Sequence, residues 1–469
     1  MINGIGAKLR GAAGPQPDDT SLDRRRSLSP ETEHSGTAQK LPDDGDRAKY
    51  LVDTCTKKKS LLPGFEVSHC KQYQISLDSR SQPGSKEIMG DLGDVAQLDT
   101  AEPKEAGSAL AEAEPRESRK PTVLLVLAGV HGDLSTPAWQ RTRHNFNTIQ
   151  YDCPSVDEFC QRLQPGGPYS NIDAIFRTGW LKSGPYSQHL LFRGEPLSLY
   201  PPTLRYIGCS GHGYDAADIE ALTARGITYA NTPNTNTEAV ANTALHLILN
   251  TYRYFTLAEH HTRNDEGWTT GREVGAMAVD PTGQVLGVVG MGCIGLAIAK
   301  KAAAALGMEV HYHNRRRRRD AEGEILSPNG TRPGATFHDT FESLLEIADC
   351  ICLACPLTND TKHLISAATL GRIKERKIRI VNIARGGLIN EDDLLAAMER
   401  DQVVGVGLDV HAHEPGINPK LKNNFKVTVL PHIGVASQTS WKNFDEVGLR
   451  NLNEFFFGDK RKVTSVNKV

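Results

Sequence analysis

The sequence contains no run of about 18 or more apolar residues, so we expect no membrane-spanning helix. Its net charge is only −2, so it lacks the positive excess that attracts nucleic acid or an anionic membrane. Its nine cysteines are odd in number and scattered, which argues against a disulfide framework and favours a reducing compartment. The amino terminus lacks the long apolar core of a secretory signal. We therefore expect a cytoplasmic location, although Arg10 and Arg24 to Arg26 leave a mitochondrial one open.

The first 118 residues differ in composition from the rest of the chain. They are rich in Ser, Pro, Gly, Glu, Asp and Lys and contain only short apolar stretches. Such a segment buries too little apolar surface to offset the entropy that a chain loses on folding. We predict that residues 1–118 form a disordered leader.

From Pro121 onward, apolar strand-like runs alternate with helical patterns, and the alternation restarts after Gly283. This order is typical of an α/β fold with parallel sheets. Strands are predicted at 123–127, 172–176, 204–208, 285–289, 309–313, 350–354, 378–383, 404–410 and 427–430. Helices are predicted at 219–225, 237–262, 295–306, 343–347, 391–399 and 437–457.

The glycine-rich motif GMGCIG occupies residues 290–295, between an apolar strand and an alanine-rich helix. In this context Gly290 permits a tight turn, Gly292 lets the backbone approach a pyrophosphate, and Gly295 allows close packing of helix and sheet. The amino terminus of the helix then offers free N–H groups and partial positive charge to phosphates. We predict a dinucleotide site here, and the alternative is a plain structural turn.

The end of the next strand bears on the choice of dinucleotide. A carboxylate about 20 residues after the glycines would bind the ribose 2′-hydroxyl of NAD, but this chain has Asn314, Arg315 and Arg316 there. Arginine side chains suit a 2′-phosphate because they form bidentate, charge-assisted hydrogen bonds. We therefore predict that NADP(H) is preferred and that NAD(H) remains possible. Alternatively, the arginine run is only a solvated basic patch or a nuclear-import-like cluster.

Three chemically distinctive residues follow later strands. Arg385 lies in NIARGG, Glu414 in GLDVHAHEP and His432 in LPHIG. A bidentate arginine is a natural partner for a substrate carboxylate, and a histidine can donate a proton to a ketone oxygen near neutral pH. A neighbouring carboxylate would raise the pKa of that histidine and orient its ring. A lone Arg or His is more often a surface or packing residue, but three in this order downstream of a dinucleotide motif indicate catalysis.

Two further motifs are HNRR at residues 313–316 and CPLT at 355–358. Together with the motifs above, they make residues 121–469 resemble the D-isomer-specific 2-hydroxyacid dehydrogenase family, nearest to its glyoxylate/hydroxypyruvate reductase branch. The resemblance implies two Rossmann-like or flavodoxin-like domains with parallel sheets and a cleft between them. The substrate domain would comprise residues 119–234 and 436–469, and the NAD(P)-binding domain residues 235–435. A homodimer formed largely through the cofactor domains is also implied.

The resemblance also assigns site residues. Arg385 would hold the substrate carboxylate and polarise the ketone, His432 would be the acid/base, and Glu414 would tune His432. Backbone amides at His212 and Gly213 would also bind the carboxylate, although an ordinary turn explains the glycine equally well. Further cofactor contacts would come from Cys293, Ile294, Pro356, Thr361, Ile383, Ala384, Arg385, Asp409, His432 and Gly434. Thr178, Trp180 and Trp441 are candidates for the pocket of the substrate side chain.

The sequence thus predicts an NAD(P)H-dependent reductase of a small 2-oxo acid such as glyoxylate or hydroxypyruvate, giving the D-2-hydroxy acid. The alternative is a dinucleotide-sensing scaffold like the transcriptional corepressors that share this fold and its three catalytic-type residues. The cysteines of CICLAC at 350–355 could in principle bind a metal. We interpret them instead as buried strand residues and predict no metal site.

Overall fold

A computed structural model describes residues 119–469, apart from residues 130, 180, 182–183, 265–266 and 374. The predicted leader, residues 1–118, and the predicted pocket residue Trp180 lie outside the described residues. The strands of the described part form two parallel sheets, which confirms the predicted α/β class. None of the helices found there is both long and apolar enough to cross a membrane.

The first sheet has five strands in the order β2-β1-β3-β4-β5. Their bounds are β1 Thr122–Ala128, β2 Asn147–Gln150, β3 Ala174–Gly179, β4 Tyr206–Cys209 and β5 Thr228–Ala230. All neighbouring pairs are parallel. The central strands β1, β3 and β4 are almost wholly buried because helices cover both faces of the sheet. Because these strands are parallel, their carboxyl ends meet at one edge of the sheet.

The second sheet has seven strands in the order β12-β11-β10-β9-β6-β7-β8. Their bounds are β6 Val285–Val289, β7 Glu309–His313, β8 Ala335–His338, β9 Cys350–Leu353, β10 Ile378–Asn382, β11 Val403–Leu408 and β12 Val427–Val429. The strand order reverses between β6 and β9, which is the switch point where parallel α/β sheets bind ligands.

The helices connect the strands and cover the sheets. They are α1 Pro137–Asn145, α2 Val156–Leu163, α3 Gln188–Leu191, α4 Glu195–Leu199, α5 Ile219–Ala224, α6 Thr237–Arg253, α7 Phe255–Arg263, α8 Gly267–Met277, α9 Cys293–Leu306, α10 Arg319–Glu324, α11 Phe341–Leu345, α12 Ala367–Leu370, α13 Glu391–Glu399, α14 Pro419–Lys422 and α15 Gln438–Phe457. Helix α6 leads from the first sheet to the second, where it packs on α9, β10 and β11.

The last segment of the chain returns to the first sheet. Helix α15 packs on β3 and β4, and its Leu449 and Leu452 are buried in the same core as Val123 and Phe176. Beyond the helix, Asn467 accepts a hydrogen bond from the backbone N–H of β5 at 2.7 Å. The first sheet is thus completed by both ends of the described chain.

The predicted helix over 237–262 is wrong in one respect, because it is divided into α6 and α7. Tyr254 between them adopts a left-handed backbone conformation with φ of 54°. This conformation cannot continue a right-handed helix. The chain changes direction there, and none of the residues of α7 is buried.

Candidate active site

The glycine motif at residues 290–295 forms the turn between β6 and α9. Gly290 has φ of 99°, and a Cβ atom there would lie 2.8 Å from the backbone of residues 354 and 355. A Cβ atom on Gly295 would lie 2.0 Å from the carbonyl oxygen of Gly290, whereas one on Gly292 would meet open space. Since α9 begins at Cys293 with its first turn facing this space, the loop fits a pyrophosphate.

Four of the five arginines after β7 form two pairs with different surroundings. Arg317 pairs with the buried Glu322, and Arg318 pairs with Asp320 and donates to the carbonyl of the residue after Gly290, Met291, at 3.1 Å. Arg315 and Arg316 are exposed, and within the described part of the chain their guanidinium groups have no ion-pair partner. The two arginines predicted to bind a 2′-phosphate are thus among those whose guanidinium groups remain available.

Arg385 follows β10, and the last residue of that strand holds the turn that contains it. Asn382 accepts a hydrogen bond from the N–H of Ala384 at 3.0 Å and donates one to the carbonyl of Arg385 at 2.8 Å. These two bonds close a tight turn that carries the arginine beyond the edge of the sheet. The next residue must be small, because a Cβ atom on Gly386 would lie 2.0 Å from the backbone of His411.

Glu414 and His432 are brought together by the loops that follow the adjacent strands β11 and β12. His432 Nδ1 lies 2.8 Å from Glu414 Oε2 and 3.0 Å from Oε1. Glu414 Oε1 also accepts from the N–H of His411 at 3.1 Å, which fixes the carboxylate in its loop. Both side chains are partly accessible, with 20% of His432 and 32% of Glu414 exposed. The pair can hold an oriented imidazole at the cleft.

Asp409 anchors the loop that carries His432. Its carboxylate is 1% exposed and accepts from the N–H groups of Ile433 at 2.8 Å and of Gly434 at 2.9 Å. A Cβ atom on Gly434 would lie 2.7 Å from the carboxylate. Asp409 thus has a structural role in this turn, and its predicted contact with the cofactor stays a prediction.

The loop after β4 meets the second sheet at Arg385. The Arg385 guanidinium forms hydrogen bonds of 2.8 to 3.0 Å with Asp215, and a Cβ atom on Gly213 would lie 1.7 Å from Arg385 Nη2. Burial and the nearby positive charge of Arg385 lower the pKa of His212. The loop predicted to bind a substrate carboxylate thus lies directly against the predicted carboxylate-binding arginine.

The remaining predicted residues lie around these loops. Thr361 donates to the carbonyl of Pro356 at 2.7 Å in the loop after β9, while Ile383 lies next to Ala384 after β10. Among the pocket candidates, Trp441 is buried on α15. Thr178 at the end of β3 donates to the buried Asp445 at 2.8 Å, and that carboxylate also accepts from the ring N–H of Trp139.

The sequence did not predict Asp215, Asn382, Arg318 or Asp445 as site residues. Asp215 and Asn382 stand inside motifs that were already singled out, SGHGYD and NIARGG, so membership of these motifs was the available signal. Arg318 is one of five consecutive arginines, and the sequence does not show which of them turns back to the glycine loop. Asp445 lies on a helix far from the motifs along the chain.

Known proteins resemble this chain in sequence and in fold. A family model described as D-isomer specific 2-hydroxyacid dehydrogenase, NAD binding domain, matches residues 245–434. A protein of Aspergillus oryzae named 4-methyl-2-oxopentanoate reductase A is 32% identical over 336 residues, which is 71% of this chain and 94% of that protein.

Solved structures agree with this result. The apo form of D-mandelate dehydrogenase from Rhodotorula graminis matches with a TM-score of 0.67 at 30% identity, over 75% of this chain and 99% of that one. An NADPH-dependent glyoxylate/hydroxypyruvate reductase from Sinorhizobium meliloti, in complex with NADP and malonate, matches with a TM-score of 0.56 at 26% identity, over 75% of this chain and 100% of that one. With its glycine loop and its paired glutamate and histidine, the chain belongs to the D-isomer-specific 2-hydroxyacid dehydrogenase family.

Proposed function

We propose that the protein uses NADPH to reduce a small 2-oxo acid, such as glyoxylate or hydroxypyruvate, to the D-2-hydroxy acid. The observation that carries this proposal is the contact between His432 and Glu414 at the carboxyl ends of adjacent strands, in the sheet that bears the glycine motif. An oriented imidazole at this edge is the acid that a ketone reduction requires.

The positions of the side chains support the proposed steps. Arg385 binds the carboxylate and polarises the ketone, with the amides at His212 and Gly213 on the opposite wall. His432 gives its proton to the ketone oxygen, and Glu414 stabilises the imidazolium before the transfer. When bound, the reduced nicotinamide supplies the hydride. In the reverse direction neutral His432 takes the proton from the hydroxyl.

The proposed cofactor contacts fit the loops that face the switch point. Gly290, Gly292 and Gly295 would hold the pyrophosphate together with the amides of Cys293 and Ile294. Further contacts would come from Pro356, Thr361, Ile383, Ala384, Asp409 and Gly434. The preference for NADPH is supported by Arg315 and Arg316, whose exposed guanidinium groups follow β7 without an acidic partner in the described part of the chain.

The size of the substrate is best tested with a panel of 2-oxo acids crossed with NADPH and NADH. The names of two relatives, 4-methyl-2-oxopentanoate reductase and D-mandelate dehydrogenase, make larger apolar side chains a second candidate class. The panel should therefore contain glyoxylate, hydroxypyruvate, 4-methyl-2-oxopentanoate and the 2-oxo acid whose reduction gives mandelate. Background rates with all four acids would contradict the proposal and favour a dinucleotide-sensing scaffold.

We also propose that the first sheet belongs to a substrate domain of residues 119–234 and 436–469. The second sheet then belongs to a cofactor domain of residues 235–435.

We further propose that the protein is a homodimer. The support for a dimer is the pair α7 and α8, in which the described side chains are almost all accessible. Trp268 on α8 is fully exposed and Phe255 on α7 is 46% exposed. Light scattering should give twice the mass of one chain, and Trp268→Glu should shift it toward the monomer. A monomeric wild type would contradict this.

A further inference from the structure

Asp215 and Arg385 form an ion pair between the two halves of the candidate site. Asp215 lies in the loop between β4 of the first sheet and α5, while Arg385 follows β10 of the second sheet. Arg385 Nε lies 3.0 Å from both carboxylate oxygens, and Nη2 lies 2.8 Å from Oδ1. The contact therefore uses one whole edge of the guanidinium, the edge formed by Nε and Nη2.

The hydrogen-bond donors of Arg385 can be counted. A guanidinium has five N–H groups in a fixed planar arrangement. Asp215 accepts hydrogen bonds from the N–H of Nε and from one N–H of Nη2, and the carbonyl of Ala384 accepts one from Nη1 at 2.7 Å. One N–H on Nη1 and one on Nη2 remain. Two parallel donors are what a 2-oxo acid requires for its carboxylate and ketone oxygens.

The loop that carries Asp215 is itself held in place. Arg193 donates to the carbonyl of Ala216 at 3.1 Å and to the carbonyl of Asp215 at 2.6 Å. Gly213 lets the loop approach Arg385, since any side chain there would overlap Nη2. Burial would raise the pKa of Asp215, but its hydrogen bonds and charge contact with Arg385 outweigh that effect, so its pKa lies below the ordinary value. The carboxylate is thus ionised at neutral pH.

We infer that Asp215 is a positioning residue for the reduction. It turns the guanidinium of Arg385 so that the Nη1 and Nη2 donors, and not the Nε edge, face the 2-oxo acid. A side chain with four rotatable bonds would otherwise sample several orientations, and few of them would present both donors to the substrate. This inference rests on the proposed function, because it assigns Arg385 to the 2-oxo acid.

The test compares two substitutions in the same loop. Asp215→Asn removes the charge and replaces one acceptor oxygen with a donor. Asp218→Asn is the matched control, because it removes the same charge three residues away, where Asp218 caps α5 through the N–H of Ala221. Asparagine is an equally good cap. For both variants, kcat and KM are measured for the best 2-oxo acid of the panel, together with the Kd of NADPH and the thermal midpoint.

For Asp215→Asn we expect kcat/KM for the 2-oxo acid to fall by about 10- to 100-fold, as for loss of a charged hydrogen-bonding partner. The Kd of NADPH and the thermal midpoint should stay close to those of Asp218→Asn. Asp215→Glu, which keeps the charge, should recover a large part of the loss.

Two results would overturn the inference while the proposed function stands. One is an active wild type in which Asp215→Asn matches Asp218→Asn in kcat/KM. The other is a loss of NADPH affinity and of thermal stability that is as large as the loss of kcat/KM and that Asp215→Glu does not restore. This result would show that the contact is purely structural. A wild type without turnover of any 2-oxo acid overturns the proposed function and this inference together.

Discussion

The contact between His432 and Glu414 gives the sharpest prediction about catalysis. Glu414→Gln keeps the length of the side chain and one acceptor oxygen but removes the charge that stabilises an imidazolium. His432 Nδ1 lies within 3.0 Å of both carboxylate oxygens, so the contact is a charge-assisted hydrogen bond of normal length. A hydrogen bond to a charged group contributes about 1.5 to 3 kcal/mol.

The kinetic magnitude follows from that energy. Since about 1.4 kcal/mol corresponds to a tenfold change in rate, losing the contact predicts a fall in kcat/KM of about 10- to 150-fold. Glu414→Gln should lie toward the lower end of this interval because one acceptor remains, and Glu414→Ala toward the upper end. Because less imidazolium is present at a given pH, the rate of reduction should also begin to fall at a lower pH than in the wild type.

The assay is the oxidation of NADPH at saturating cofactor with the best 2-oxo acid, measured across a range of pH. Glu391→Gln is a suitable control, since Glu391 accepts from the N–H of Ala412 in the same loop region at 3.1 Å. It removes the same charge nearby. If Glu414→Gln and Glu391→Gln differ by less than about twofold in kcat/KM, the carboxylate does not assist His432 and the reasoning is refuted.

Three further predictions concern the cofactor site and its supporting loop. Gly295→Val should weaken NADPH binding by more than about tenfold in fluorescence titration, because its side chain would meet the carbonyl of Gly290; an unchanged Kd would contradict the fit of this turn. The double variant Arg315→Ala/Arg316→Ala should lower kcat/KM with NADPH by about 10- to 100-fold and leave that with NADH within about threefold, and an equal loss with both cofactors would count against recognition of a 2′-phosphate. Asp409→Ala should lower the free energy of unfolding in urea by about 2 to 4 kcal/mol because two N–H groups, one buried and one partly buried, lose their acceptor, and a change below about 1 kcal/mol would show that water replaces it.

The central strands and the cofactor loop follow from local sequence. The strands β6 and β7 were predicted with their observed bounds, since each is an apolar run or an alternation ended by glycine or a polar turn. The strands β2, β5 and β8 were not predicted. They are short edge strands with polar or small residues, such as NTIQ and ATFH, and pairing with a neighbour rather than their own pattern makes them strands.

The sequence by itself determined the fold class and the glycine loop and predicted the three residues Arg385, Glu414 and His432, because each depends on a motif next to a strand that its own residues specify. Tertiary structure alone decided which side chains meet across the cleft. Asp215 and Arg385 are 170 positions apart, and only the packing of one parallel sheet beside another places their charges within 3 Å. Hydrogen bonding at that range depends on distances in space, and no spacing along the chain encodes them.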